Sequence, residues 1–262
     1  MAMRRRLMTL TATILAMGLA ATTVLAEKPE DNRATREKGR VIYEQSCIFC
    51  HGVEGKGDGP AGWFIGRYSS PHPRDFTTEG YKLRSTESGS LPTDQDLFRT
   101  VTQGIPGYMP SFSGLSETER WQIIAYVKSF NPAFKDEKPE SMVFGNPPFP
   151  SSDESIERGR TIYRQFGCVN CHGPEGKGDG IESLGGNLKD ARGLTIRAGD
   201  LSERRAFKNG ATARDIYRTL LTGLDGTPMP SYITQFQGKG KDDKDAWHLV
   251  DYILSLSQER RP

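Results

Sequence analysis

Cys47-Ile48-Phe49-Cys50-His51-Gly52-Val53-Glu54-Gly55-Lys56-Gly57-Asp58-Gly59 returns 121 positions later as Cys168-Val169-Asn170-Cys171-His172-Gly173-Pro174-Glu175-Gly176-Lys177-Gly178-Asp179-Gly180. Each copy opens on Cys-x-x-Cys-His, the attachment signal for c-type haem. Its two thiols add to the haem vinyl groups as thioethers, and the adjacent His becomes the proximal iron ligand. The chain holds four Cys, and the two motifs use all of them. No thiol is left for a disulfide, a nucleophile or an iron–sulfur cluster. The alternative is a pair of zinc knuckles, each Cys₂His plus one further ligand. Structural zinc sites usually bring two such clusters into one small domain, whereas these stand in separate surroundings.

The similarity extends outward from the motifs. Lys38 to Gly59 matches Arg158 to Gly180, with one extra residue before Cys168. Asp96 to Gly104 (DLFRTVTQG) matches Asp215 to Gly223 (DIYRTLLTG). Tyr108-Met109-Pro110-Ser111-Phe112 matches Pro228-Met229-Pro230-Ser231-Tyr232, and Glu119 to Phe130 matches Asp245 to Leu256. The order of pieces is the same in both halves, which marks a tandem duplication of one unit. Helical signals recur within each unit. Thr93-x-x-Asp96 and Thr212-x-x-Asp215 read as N-caps with a first-turn acid, and Ser116-x-x-Glu119 as a capping box. Gly104 and Gly223 fit helix C-termini. Strand patterns are nearly absent, so the fold class is all-α with Gly/Pro-rich loops.

The chain divides into a leader over 1–26, a first domain over 27–138, a Pro-rich linker over 139–152 and a second domain over 153–262. The leader has Arg4, Arg5 and Arg6, a mostly apolar run from Leu7 to Leu25, and Val24-Leu25-Ala26 at a cleavage-type site. It reads as a secretory signal, with an uncleaved membrane anchor as the alternative. Covalent haem attachment takes place outside the bacterial cytoplasm, so motif and leader both predict a periplasmic protein. The stretch from Asn131 to Ser152 holds Pro132, Pro139, Pro147, Pro148 and Pro150. Such composition predicts an extended, helix-free connector between separable halves.

Charge excludes one class of partner. Removing the leader's three Arg leaves 32 Lys and Arg against 33 Asp and Glu, a net charge of −1. Nucleic-acid binding needs a basic excess, which is missing. The hydrophobic fraction is only 35%. Two buried porphyrins would complete so thin an apolar core.

The other face of each iron decides between catalysis and electron transfer. After the leader only Met109, Met142 and Met229 remain, and two of them stand in the repeated Met-Pro-Ser-aromatic phrase. Met109 lies 58 residues after His51, and Met229 lies 57 after His172. A Met that only fills a core needs neither a following Pro nor matched spacing. Met109 and Met229 are therefore the expected distal ligands, and Met142 a packing residue. His72 sits in a loop read as having no counterpart in the second half. It is expected at the surface or against a haem propionate, with exchange for Met109 as the alternative. His248 aligns with Gln122 and reads as a polar surface position.

Cys-x-x-Cys-His, a downstream Met-Pro and flanking terminal helices resemble the class I cytochromes c, once per half. The resemblance implies two covalently attached haem c groups in two tandem domains. Cys47, Cys50, Cys168 and Cys171 would be the covalent anchors, with His51, Met109, His172 and Met229 as axial iron ligands. It also implies a close crossing of first and last helices, for which Gly39 with Tyr126 and Gly159 with Tyr252 are placed. In that family a Pro carbonyl often receives the proximal His Nδ1–H. Pro60 stands there in the first half and Ile181 in the second. GKGDG and Arg74-Asp75-Phe76 are similar to dihaem and subunit-type cytochromes of bacterial respiratory chains.

The expected function is single-electron transfer between redox protein partners, without a small-molecule substrate. Two rivals stand beside it. A dihaem enzyme of the peroxidase or thiosulfate dehydrogenase type needs an open iron face or a Cys ligand. A fixed cytochrome subunit of a larger oxidoreductase shares the chemistry and differs in its partner.

Overall fold

The computed structural model describes residues 28–62, 72–78, 80–238 and 242–257. The leader expected over 1–26 lies outside them. The described residues fold into helices and loops without strands; only two isolated bridges occur, Ile105 with Met109 and Lys189 with Thr195. None of these helices is long and apolar enough to cross a membrane.

The first half runs through α1 (Arg33–Ser46), α2 (Ile48–His51), α3 (Asp94–Gln103) and α4 (Glu117–Lys128). A single turn, α5 (Ala133–Asp136), leads into the connector. The second half repeats the order with α6 (Asp153–Gln165), α7 (Cys168–His172), α9 (Ala213–Thr222) and α11 (Lys244–Leu256). It also shows the short helices α8 (Ile181–Leu184) and α10 (Ile233–Gln237).

The start signals behave as their chemistry dictates. Thr93, Ser116 and Thr212 each accept a bond from the backbone three residues on, and the acid there bonds back. Such boxes satisfy amides that a helix start otherwise leaves open. Their order along the chain brings the first and last helices of each half together. A Cβ on Gly39 would lie 1.9 Å from the Gln122 carbonyl oxygen; on Gly159 it would lie 2.0 Å from that of His248. Only glycine permits either crossing. Tyr43 meets Tyr126, and Tyr163 meets Tyr252, each edge-on at 5.2 Å.

The connector departs from expectation twice. It holds the turn α5, because Pro132 sits at a helix N-terminus, where its missing N–H costs nothing. It is also packed. Met142, Phe144 and Phe149 lie against the second core, and Phe149 stacks on His248 at 4.5 Å. His248 is thus not a free surface position; it is half-buried and bonds the Ser155 hydroxyl at 2.8 Å.

The halves are not strung apart either. Arg84 of the first half is fully buried, with its guanidinium 2.8 Å from Asp225 and donating to the Thr222 carbonyl at 2.7 Å. Asp225 also accepts from the Ser88 hydroxyl and the Gly89 amide, both at 2.8 Å. Arg99 donates to Asn209 at 2.9 Å, and Arg192 to the Lys56 carbonyl at 2.6 Å. Besides the connector, a charged, hydrogen-bonded interface joins the halves.

Candidate haem-binding sites

Each half folds around one open-mouthed cleft. The first is lined by Cys47, Cys50, His51 and Met109; the second by Cys168, Cys171, His172 and Met229. The expected residues thus fall into two sets of four, one set per cleft. The clefts enclose nearly equal space, ≈ 1380 and ≈ 1390 Å³ with their mouths included. Their walls are apolar: Ile123, Ile124 and Val127 in one, Leu220, Leu249 and Ile253 in the other.

Local structure explains how the ligand types arrive there. Each Cys-x-x-Cys-His forms a short helix ending at a glycine of positive φ, Gly52 (75°) or Gly173 (79°). The repeated GKGDG phrase then folds back. Gly57 N–H donates to the His51 carbonyl at 2.9 Å, and Gly178 N–H to that of His172 at 2.8 Å. Tyr43 and Tyr163 donate to the Gly52 and Gly173 carbonyls, both at 2.7 Å. Opposite, Ser111 donates to the Thr102 carbonyl and Ser231 to that of Leu221, tying each Met-Pro-Ser loop to the preceding helix. Met109 is held by paired bonds with Ile105, and the Met229 carbonyl accepts from Leu224.

The proximal histidines are oriented by a carbonyl that the sequence reading missed. His172 Nδ1 lies 2.9 Å from the Gly199 carbonyl oxygen, so its Nε2 is left for the cleft. The Arg74 carbonyl takes that place in the first half and raises the proton affinity of His51, yet Nδ1 there makes no full hydrogen bond. The assignment of Pro60 is therefore corrected to Arg74 and Gly199. A faint repeat marks both. Phe76 N–H bonds the Gly55 carbonyl as Leu201 N–H bonds that of Gly176, and Asp75 and Asp200 cap Thr77 and Ser202 alike. This register pairs His72 with Arg197. His72 is 8% exposed and lines the cleft, so neither a surface location nor the lack of a counterpart holds. It stands two residues before the carbonyl serving His51, and both His72 and Arg74 line the same cleft.

Burial sets the protonation states. It pushes His51 down to about 4 and lowers His172, so both imidazoles are neutral, the form that binds a metal. It pushes the Cys47 and Cys168 thiols up to about 11. All four cysteines are free and half-buried at the cleft walls. Two thiols, one neutral His and one thioether around an apolar cleft form a donor set that fits haem c. Among the described residues, no group of three His, Cys, Asp or Glu side chains gathers around a point as a zinc site would require.

Two all-helical units with such clefts define a tandem electron-transfer fold. Residues 34–127 match the family described as cytochrome C oxidase, cbb3-type, subunit III, and residues 156–257 match the family described as cytochrome c. In the reducing HAO-like protein complex of Kuenenia stuttgartiensis, one chain is 38% identical to this one, with a TM-score of 0.75. The match covers 84% of this chain and 96% of that one. The chain belongs to the cytochrome c family, as two class I domains in tandem. Domains of this family bind haem c covalently and transfer electrons.

Proposed function

We propose that the protein is a periplasmic dihaem cytochrome that passes single electrons between redox proteins. The observation that carries this reading is the meeting of two Cys, one His and one distant Met on a single cleft in each half. Cys47 and Cys50 would hold one haem c and Cys168 and Cys171 the other, through thioethers. When bound, haem c supplies reversible one-electron chemistry at its iron. His51 and His172 would hold each iron from one side, and the Gly199 carbonyl fixes the ring of His172. Met109 and Met229 would supply the second ligands, and a thioether there would raise the potential relative to a second His. Irons so ligated would leave small substrates no entry, which speaks for a carrier over an enzyme.

Partner choice has a second reading, favoured by the similarity to a chain of a reducing HAO-like protein complex. There the cytochrome is a fixed subunit of a larger assembly. Isolation at constant stoichiometry with a second redox protein supports this form; a monomer that exchanges electrons with a soluble donor supports a shuttle.

The ligand assignment is tested by Met109→Ala and Met229→Ala. Each variant should keep two haems by mass, lose about half of the weak red-end band of Met–iron ligation, and bind carbon monoxide at one haem. An unchanged spectrum in either variant removes that Met from the ligand set.

A further inference from the structure

The two clefts share part of their lining. Lys82 of the first half and Lys208 of the second each line both clefts. Each follows an aromatic residue, Tyr81 or Phe207, in the segment that leads to the next long helix of its half. Both are held beside interface anchors. Lys82 is two residues from Arg84, whose guanidinium is clamped by Asp225 and the Thr222 carbonyl of the other half. Lys208 precedes Asn209, which accepts from Arg99 of the first half at 2.9 Å. The Lys208 ammonium also lies 4.2 Å from the centre of the Tyr108 ring, next to Met109.

The charge of the lining tells what these ammonium groups serve. Among the described residues, the first cleft is lined by the cations Arg74, Lys82 and Lys208 and by no carboxylate. The second is lined by Lys82, Arg197 and Lys208 and, of the described acids, by Asp200, which accepts from Ser202. Walls otherwise apolar carry a cationic edge where the halves meet. Haem is an apolar plate whose only anionic groups are its two propionates. A cation on a low-dielectric wall is stabilised by such a carboxylate and in turn favours the reduced iron.

Resting on the dihaem reading above, we infer that Lys82 and Lys208 form a shared cationic bridge for the propionates of both haems, so that each half completes the other half's cofactor site. They are positioning residues: they touch the periphery of the cofactor rather than its iron. The consequence is reciprocal. Neutralising either lysine moves the potential of both haems, including the one bound by the other half.

The test uses the full, haem-loaded chain. Lys82→Met and Lys208→Met keep the apolar stem and remove the charge; the corresponding Gln variants serve if a Met variant fails to fold. Spectroelectrochemical titration should show both midpoints shifted downward by either substitution, with Lys→Arg restoring both. Lys244→Gln, on an exposed lysine at the start of α11, should move neither midpoint. A shift confined to one haem, or no shift, overturns the shared bridge. Haem mass on the wild-type chain keeps the two readings distinct. Fewer than two haems per chain defeats the dihaem reading, whereas two haems with unmoved midpoints defeat only the bridge.

Discussion

The two halves place the same four ligand types on the same frame, yet they are packed differently. Among the described residues, the second half buries one continuous cluster that includes Tyr163, Tyr217, Leu221, Phe236, Trp247 and Val250. The first divides into two smaller groups, Tyr81 with Leu97, Trp121 and Ile124, and Tyr43 with Ile123 and Val127. The second half also gathers Phe236 from α10 and Met142, Phe144 and Phe149 from the connector. Its Trp247 is 2% exposed, against 8% for the equivalent Trp121. Duplication thus preserved the cofactor frame while the connector gave more apolar side chains to one copy than to the other. The ligand frame and the surrounding core are separable demands on a sequence.

The largest effect should come from the helix crossings. Gly39→Val and Gly159→Val each drive a side chain into a backbone carbonyl that cannot retreat, at a cost of about 3 kcal/mol or more. Mass spectrometry should show Gly39→Val retaining the second haem. Gly159→Val should deplete both, because the first half's Arg84 loses its acceptors. Loss of one haem in each variant would make the halves equals and break the asymmetry.

Next come the paired tryptophans, each stacked on an aromatic of the preceding long helix: Trp121 on Phe98 at 4.1 Å and Trp247 on Tyr217 at 4.2 Å. Trp247→Ala should cost about 4–5 kcal/mol and Trp121→Ala about 3, within the usual range for a buried aromatic. Denaturant unfolding followed by circular dichroism gives the order; a reversed order contradicts the single-core description of the second half.

The interface pair should follow. Asp225→Ala leaves Arg84 buried without its counter-charge, a loss of about 3 kcal/mol. The double variant Arg84→Leu/Asp225→Leu should recover more than half of it in a double-mutant cycle. Additive losses would show that the ion pair does not couple the halves.

The smallest effect should be at the caps. Thr93→Ala and Thr212→Ala should each cost about 1 kcal/mol, measured by the same unfolding. A difference above that size would mean that the two boxes, despite matched geometry, bear unequal weight.

What the sequence made legible follows from how local each signal is. Cys-x-x-Cys-His, the capping boxes, the Met-Pro-Ser phrase and the crossing glycines all act through neighbours within a few residues or through strict repetition. The failures involve long-range pairing. Arg84 reads as an ordinary loop cation, since nothing near it announces Asp225 far downstream. Pro60 was placed by family habit, whereas the carbonyls of Arg74 and Gly199 lie in a segment whose repeat survives only as Asp-apolar-hydroxyl. His248 reads as a surface position, and His72 as a surface or propionate-contacting one, because a lone His carries no periodicity. Prolines concealed the turn Ala133–Asp136 because the breaker stands at its start.

The guanidinium of Arg84 on the Thr222 carbonyl has a further consequence for the chain's history. Thr222 ends α9, where carbonyls lack partners within the helix, and its oxygen is served by a residue of the other copy. Excising either half would strand a buried polar group: a guanidinium in one fragment, a helix-end carbonyl in the other. A gene that arose by duplication has thereby acquired a ratchet. Recombination that leaves the first copy alone now strands a buried guanidinium, so that copy is inherited together with the second.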